Sequence, residues 1–371
     1  MEEATCERII KSVDTIIRKD SALNEFGIIQ SASEVNKSPV IHIDHKLGLE
    51  SWCVKYVYKY AYTVVMRYSS IGGYNYSESV IRGTQFCLLL KPEVTTFWNI
   101  RKKIILKGLL NADVDLLLSR LVLTLKPKCI EAFQHRRWLY SAVLSDQNSG
   151  SARNNVILNN NIGVPGTLKD FLWAELDLCT WTASKKPNNY HSWNHRLWVV
   201  KKLSSSVEDT EISELLKVEY NSSKTWISYH VSEHSGMHYR FKILDEICCA
   251  FEKGRLNLVY IDSNLNTVKE IYLKDLKLSE DWLQSYPDHE ALFYYRRNIL
   301  AKLQYLFSNN GQKASPPPPA YKRSCIETID SEWNAVIQRE LKLFEEIKGH
   351  SDHYTQLCRQ HLNWINNNIS Y

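Results

Sequence analysis

The sequence predicts an all-α fold, an α-α superhelix in which stacked helix hairpins form a crescent. Three observations lead to this prediction. A short motif recurs five times, several copies follow a stretch whose apolar residues repeat with a period near that of an α-helix, and Gly is scarce, at 13 of 371 residues. A helix hairpin buries its apolar face only against its neighbours, so recurring hairpins predict a continuous curved array with a concave face.

The recurring motif is a Pro, a large apolar residue six positions later and an Arg three positions after that. Pro fits the turn before a helix or its first turn, where its missing N–H costs nothing. The apolar residue and the Arg then lie one turn apart on the same helix face. The first fills the core between helices, and the Arg can pair with a carboxylate or a carbonyl of the next helix. The copies are Pro92–Trp98–Arg101, Pro127–Phe133–Arg136, Pro187–Trp193–Arg196, Met237–Arg240 (with Val231 in place of Pro) and Pro287–Phe293–Arg296.

The spacing of the copies predicts the organisation of the chain. The motif Arg residues are 35, 60, 44 and 56 positions apart, and only the first interval fits a bare helix pair. The longer intervals carry insertions, of which 146–166 and 252–267 are predicted to be loops. The predicted segments are leading helices within 1–70 (Glu7–Lys19 and Leu47–Met66), five repeats within 78–307, a Pro-rich loop at 308–325, and capping helices without the motif within 330–371 (Glu332–Lys348 and Tyr354–Asn366).

Charge and composition exclude several classes of function. The net charge is +5, and no Lys/Arg block is long enough for a nucleic-acid-binding arm, so no nucleic-acid partner is predicted. No apolar run reaches membrane-spanning length, and the first twenty residues lack the apolar core of a signal peptide. The nine Cys lack metal-type spacing. We therefore expect a cytoplasmic protein with reduced thiols.

The sequence contains no catalytic motif of its own. It has no Ser elbow, no Gly-rich phosphate loop and no paired-carboxylate motif, so a self-sufficient hydrolase or transferase is not predicted. Two histidine pairs, His191/His195 and His234/His238, have the i, i+4 spacing of metal ligands on a helix, but no acidic third ligand follows them. No metal site is predicted in this chain.

The third copy of the motif resembles a known family. It reads Pro187-Asn-Asn-Tyr-His-Ser-Trp-Asn-His-Arg196 and fits the pattern Pro-x-Asn-Tyr-x-x-Trp-x-x-Arg of the protein prenyltransferase alpha-subunit repeat. The resemblance extends from about Lys91 to Lys302. The segments LGLESWCVKY, TFWNIRK, HVSEHSGMHYR and YPDHEALFYYRR are similar to a divergent branch, the prenyltransferase alpha-subunit repeat-containing proteins. That branch resembles the alpha subunit of a third type of geranylgeranyltransferase.

The resemblance implies an alpha-type subunit of a heterodimeric protein prenyltransferase, not catalytic alone. The implied partner is a Rab-type geranylgeranyltransferase beta subunit, which would hold the zinc and the isoprenoid diphosphate. The implied reaction is geranylgeranyl transfer to C-terminal cysteines of vesicle-trafficking proteins, such as Rab GTPases or a SNARE.

The resemblance also implies where this chain meets the diphosphate. Lys128 of the second repeat and Tyr190 and His191 of the third match the family's diphosphate contacts in a supporting role, and the adjacent Asn188 and Asn189 are expected to contact substrate or partner. All lie at the start of a helix, where anions are favoured. The second repeat departs from the pattern because Cys129 follows Lys128 where the family has Asn.

A second function remains open from the residues alone. Stacked helix hairpins also serve as interaction scaffolds without transferase activity. The motif Arg residues recur regularly, as scaffold residues do, whereas a catalytic Arg is needed only once. Lys128 and His191 discriminate between the two functions, because a scaffold requires neither.

Overall fold

The computed structural model describes residues 1–31, 38–70, 76–144, 168–308, 331–345 and 351–369. They form mostly α-helices, which confirms the prediction of an all-α helical-repeat fold. The chain divides into two compact units, Met1–Val199 and Val200–Tyr371.

The first unit begins with two helices and a small sheet. The sheet was not predicted from the sequence. Helices α1 (Glu3–Lys19) and α2 (Ser51–Ser70) flank strands β1 (Glu25–Ile29), β2 (Val40–Ile43) and β3 (Lys46–Glu50). The central strand β3 pairs parallel with β1 and antiparallel with β2. The predicted helix Leu47–Met66 is therefore wrong at its start. Leu47 and Leu49 alternate onto the buried face of β3 with exposures of 1% and 0%, a period of two that a short strand satisfies.

Helix hairpins follow in both units. The first unit contains α3 (Glu78–Leu90) with α4 (Thr95–Leu106), α5 (Ala112–Leu125) with α6 (Ile130–Leu139, continued by a π-helical turn at Tyr140–Leu144), and α7 (Leu168–Lys185) with α8 (Tyr190–Ser206), within which the unit boundary falls. The second unit contains α9 (Asp209–Tyr229) with α10 (His234–Glu252), the short α11 (Leu258–Ile261), α12 (Val268–Ser285) with α13 (Glu290–Ser308), and α14 (Ser331–Glu345) with α15 (Asp352–Asn368).

Two predicted loops cannot be compared with the structure in full. Segment 146–166 lies outside the described residues, as does 308–325 apart from Ser308, which ends α13. The predicted loop 252–267 is irregular except for α11 and for Glu252, which ends α10.

A buried node joins two successive hairpins at Arg101, Arg136, Arg240 and Arg296. Arg136 Nη1 donates to Leu116 O at 2.6 Å and to Ser119 Oγ at 2.7 Å, both on the first helix of its own hairpin. Its Nε donates to Glu175 Oε2 at 2.8 Å on the next hairpin. His195, which precedes the next motif Arg, lies 2.8 Å from the same Glu175 oxygen through Nε2. One carboxylate thus connects side chains from three helices.

The node recurs along both units with the same chemistry. At these four positions the Arg binds a carbonyl and a hydroxyl behind it and a carboxylate ahead of it, and carboxylates at the corresponding positions bind a His or Tyr 20 or 21 residues later. The Arg sets are Arg101 with Ile81, Thr84 and Asp115; Arg240 with Tyr220, Ser223 and Asp275; and Arg296 with Leu276, Ser279 and Glu340. The carboxylate pairs are His135 with Asp115, Tyr239 with Glu219, Tyr295 with Asp275 and His361 with Glu340.

The last hairpin carries half of the motif. It was predicted to lack the motif and to cap the array. His361 of α15 nevertheless occupies the node position, with Nε2 2.9 Å from Glu340 Oε1, and its ring stacks on Trp364. The same His-x-x-Trp pattern occurs at His135–Trp138 and His195–Trp198. Leu362 stands where the other hairpins have Arg, which explains why a search for the Arg missed this copy.

The node histidines predict how stability depends on pH. Burial lowers the pKa of His135, His195 and His361, so they are neutral in the folded protein. Below the unfolded value of about 6.5, the unfolded chain binds protons that the folded chain does not, and stability falls. We expect the melting temperature measured by calorimetry to be steady above pH 7 and to fall between pH 6.5 and 5. The variant His195→Gln should fall less steeply, and a flat profile in the unaltered protein would contradict the prediction.

The depressed pKa values of the node carboxylates act at lower pH. Burial opposes ionisation of Glu175 and Glu340, but Arg136 and Arg296 respectively, together with hydrogen bonds, hold both pKa values at about 2. The stability that these carboxylates contribute is present above about pH 4.3 and is lost as the pH falls towards 2. The histidines therefore dominate the pH dependence near neutrality.

Candidate functional site

The turns between paired helices are tied to one another in each unit. In the first unit, Lys126 Nζ donates to Glu93 Oε2 at 2.9 Å, which joins the first and second turns. Asn189 Nδ2 donates to Pro127 O at 2.8 Å, which joins the second and third. In the second unit, Ser232 Oγ lies 2.6 Å from His289 Nδ1 across the next pair of turns. The residues that follow successive motif prolines are thereby neighbours in space.

Asn189 is the residue that fixes the third turn. Its amide oxygen accepts from Ser192 N at 3.2 Å, the bond of an N-cap, and its Nδ2 also donates to Thr182 O at 3.2 Å. The side chain is fully buried, with 0% exposure. The expectation that Asn189 contacts substrate or partner is therefore corrected: it caps α8 and holds the turn of the second hairpin against it.

The backbone conformation at position 188 favours Asn. Its φ is +52°, in the left-handed region that Asn tolerates better than most residues. Its side chain is exposed. A Lys would be strained at this position, whereas Lys128, at the equivalent point of the second turn, is not in that region. This explains why the third repeat offers no Lys here.

The bond from Asn189 Nδ2 to Pro127 O, called the Asn189 clamp below, ties the turn that carries Lys128 to the start of α8, where Tyr190 and His191 lie. Lys128 is exposed one residue after the clamped Pro127 carbonyl, and Tyr190 and His191 form the first turn of α8. The Tyr190 and His191 rings lie 5.7 Å apart at a steep angle. Tyr190 is 53% exposed and His191 is half-buried, so solvent reaches both side chains.

Electrostatics makes His191 a neutral hydrogen-bonding group. Partial burial lowers the pKa of His191, the Glu131 carboxylate opposes that change, and the Lys128 ammonium adds to it. At neutral pH a ligand here would therefore meet one ammonium, one neutral imidazole and one phenol. These groups stand at the N-terminus of a 17-residue helix, which favours an anion.

Comparison with known proteins identifies the family. The protein prenyltransferase alpha subunit repeat matches residues 172–203 and 272–303, which are the third and fifth motif-bearing hairpins. The chain is 30% identical over 342 residues to the human protein prenyltransferase alpha subunit repeat-containing protein 1, covering 83% of this chain and 80% of that protein. A Xenopus laevis relative, repeat-containing protein 1-B, is 30% identical over 338 residues, covering 85% and 76%. The chain belongs to this repeat-containing family.

The names of more distant relatives specify an activity. The geranylgeranyl transferase type-2 subunit alpha of Candida albicans is 26% identical over 190 residues, covering 47% of this chain and 45% of that protein. The Sus scrofa protein of the same name is 23% identical over 237 residues, covering 61% and 34%. These relatives resemble this chain over part of its length only.

Two residues beside the site were missed by the sequence analysis of this family member. Arg137 donates from Nη2 to Asn194 Oδ1 at 2.7 Å on the next hairpin. Asn194 Nδ2 lies 3.0 Å from the Tyr190 phenol oxygen. The available signal was position: Asn194 follows Tyr190 by four residues, so the two share a helix face.

The histidine pairs do not combine into a metal site in the described part of the chain. His195 is committed to Glu175 and to Arg137 Nε, which donates to its Nδ1 at 3.1 Å. His234 lies beside the Tyr294 ring at 5.7 Å. No group of three or more His, Cys, Asp or Glu side chains among these residues is arranged to hold a metal ion. Within the same residues, no helix is both long and apolar enough to cross a membrane.

Proposed function

We propose that this chain is the alpha-type subunit of a heterodimeric protein geranylgeranyltransferase and that it supplies diphosphate contacts to the site. Membership of the repeat-containing family supports an alpha-subunit type of role. The named activity of the distant relatives motivates the choice of geranylgeranyl transfer to C-terminal cysteines. The expected partner is a Rab-type beta subunit, which would hold the zinc and the isoprenoid.

One observation carries the assignment of the site. The bond from Asn189 to Pro127 O sets Lys128 beside the first turn of α8. A packing scaffold has no need to hold a cation, an imidazole and a phenol at one exposed helix start. Each of the three can approach an anionic oxygen, and the Asn189 side chain that makes the bond is buried.

The chemistry of prenyl transfer makes use of such groups. The diphosphate departs as the bond from carbon to oxygen breaks, and negative charge grows on its oxygens. Fixed donors and cations placed at those oxygens stabilise the transition state more than the ground state. Lys128 would supply the charge, whereas Tyr190 and neutral His191 would donate hydrogen bonds.

Glu131 is the feature that favours the scaffold function instead. Its carboxylate acts on His191 and would repel a diphosphate. The two functions differ in one simple respect: an alpha subunit must form a complex with a beta subunit. Co-expression of the full chain with a Rab-type beta subunit should yield a stable complex through size-exclusion chromatography. If the two chains elute apart, the proposed function is wrong.

The Lys128 assignment has its own test in that complex. Lys128→Ala should lower kcat for geranylgeranyl transfer by about 10- to 100-fold, because one cation at the leaving group is lost. Lys126→Ala is the matched control, since it removes a neighbouring Lys of the same turn that is already paired with Glu93 at 2.9 Å. Equal rates for the two variants would refute the diphosphate role of Lys128.

A further inference from the structure

A hydrogen-bond chain runs from the second hairpin to the phenol of Tyr190. Arg137 on α6 donates from Nη2 to Asn194 Oδ1 at 2.7 Å, and Asn194 Nδ2 lies 3.0 Å from the Tyr190 oxygen. The guanidinium is held at two further points: Nε donates to His195 Nδ1 at 3.1 Å, and its carbon lies 5.5 Å from the centre of the Trp198 ring.

The direction of this chain follows from the donor inventory. A guanidinium has five donors and no acceptor, so the atom of Asn194 that faces Arg137 must be the amide oxygen. The amide NH₂ then faces Tyr190, and it can only donate. The Tyr190 oxygen therefore accepts this bond, and its own proton points away from Asn194.

A second hydrogen bond, to His195, holds the Arg137 side chain in this orientation. His195 accepts from Arg137 at Nδ1, so its proton lies on Nε2, where it is donated to Glu175 at 2.8 Å. His195 and Glu175 are 0% and 1% exposed. Arg137 is thus anchored to a buried node, and the outer end of the chain is fixed from the protein interior.

We propose that Arg137 and Asn194 are positioning residues that fix the Tyr190 hydroxyl as a hydrogen-bond donor to a phosphate oxygen of the diphosphate. The inference rests on the proposed function and deepens it. A free phenol can rotate to accept or to donate, and an anion needs a donor. Because Asn194 donates to the Tyr190 oxygen, the phenol proton cannot point towards Asn194 and is directed away from it.

This combination of residues occurs in the third motif hairpin alone among the five. The positions equivalent to Tyr190 and Asn194, six and two residues before the motif Arg, hold other pairs: Thr95 with Asn99, Ile130 with Gln134, His234 with His238, and Glu290 with Tyr294. None of these pairs joins a phenol to a donor amide. A contact required only for stacking hairpins would be expected in more than one of them.

The variant Asn194→Asp reverses the terminal bond and tests the inference. A carboxylate accepts from Arg137 as before but also accepts from Tyr190, which turns the phenol proton inward. Binding of inorganic diphosphate to the complex of the full chain with the beta subunit, measured by isothermal titration calorimetry, should weaken about 10-fold, as expected for one hydrogen bond to a charged group. Tyr190→Phe should weaken it to a similar degree, and the melting temperature should not fall in either variant.

The negative charge that Asn194→Asp introduces must be separated from the bond reversal. In a Tyr190→Phe background, Asn194→Asp should have little further effect if it acts through the phenol, whereas a purely electrostatic effect would persist. Gln134→Glu introduces the same charge at the equivalent position of the preceding hairpin and should leave binding unchanged.

The possible results also separate the inference from the proposed function. If Lys128→Ala weakens diphosphate binding while Asn194→Asp and Tyr190→Phe act additively, the site stands and the positioning role is wrong. If Lys128→Ala and Tyr190→Phe both leave binding unchanged, the site itself is wrong and the inference falls with it.

Discussion

Replacing Arg136 with Leu should destabilise the protein by about 3 to 5 kcal/mol, the expected cost of leaving one partner of a buried ion pair uncompensated. Arg136 is 6% exposed and Glu175 is 1% exposed, so water cannot replace the lost bonds. The change also deprives Leu116 O and Ser119 Oγ of their donor. The melting temperature should fall by about 10 °C for a unit of this size.

The charge left on Glu175 gives this prediction a second readout. Burial alone would raise the pKa of Glu175, and in the intact node Arg136 and His195 hold it at about 2. Without Arg136 the pKa should rise, so the stability deficit should be smaller at pH 5 than at pH 8. Adding Glu175→Gln should restore part of the loss, because a neutral amide still accepts from His195.

An exposed ion pair provides the control for Arg136. Arg339 Nη2 lies 3.0 Å from Glu280 Oε2, and the Arg339 side chain is 66% exposed. Arg339→Leu should change the free energy of unfolding by no more than about 0.5 kcal/mol in urea titrations followed by circular dichroism. Similar losses for Arg136→Leu and Arg339→Leu would show that the nodes do not stabilise the hairpins.

Replacing Asn189 with Asp should cost about 3 kcal/mol, although the change is nearly isosteric. The N-cap bond to Ser192 N would survive, since either side chain supplies an acceptor oxygen. The two bonds from Nδ2 to Pro127 O and Thr182 O would become contacts between a buried carboxylate and two carbonyl oxygens. Each unsatisfied buried group costs about 1 to 3 kcal/mol.

The neighbouring Asn188 supplies the control for this second change. It is exposed, and Asp tolerates its left-handed backbone nearly as well as Asn does. Asn188→Asp should leave the unfolding free energy within about 0.5 kcal/mol of the unaltered protein. A loss as large as that of Asn189→Asp would mean that the added charge, and not the broken clamp, is responsible.

The hairpins were predictable because their signal is local. Pro187 starts a turn, Trp193 and Arg196 lie one helical turn apart, and these spacings follow from helix geometry whatever the hairpin packs against. The Arg was predicted to reach a carboxylate or a carbonyl of the next helix. The structure provides both, but on different helices: the carboxylate lies on the next hairpin and the carbonyl on the Arg's own.

The contacts between hairpins were harder to predict because they depend on tertiary placement. Glu175 gives no local sign that it is buried, and only its lag of 20 residues from His195, repeated in three other pairs, could have indicated it. The sheet was missed because β1 to β3 have four or five residues each. The spacing of Tyr190 and Asn194 places them on one helix face, but the bond from Arg137 that orients Asn194 depends on how the second and third hairpins pack.

The shared carboxylates also allow whole hairpins to be lost or duplicated without loss of the contacts between neighbouring hairpins. If the hairpin α5–α6 were removed, the guanidinium of Arg101 would be left facing forward and the carboxylate of Glu175 facing back. Arg101 could then bind Glu175 in the shortened chain. This contact would differ from the present one only in that Glu replaces Asp115. Duplication or loss of whole hairpins would therefore preserve the junction chemistry, whereas an insertion or deletion of a few residues within a hairpin would break two junctions at once.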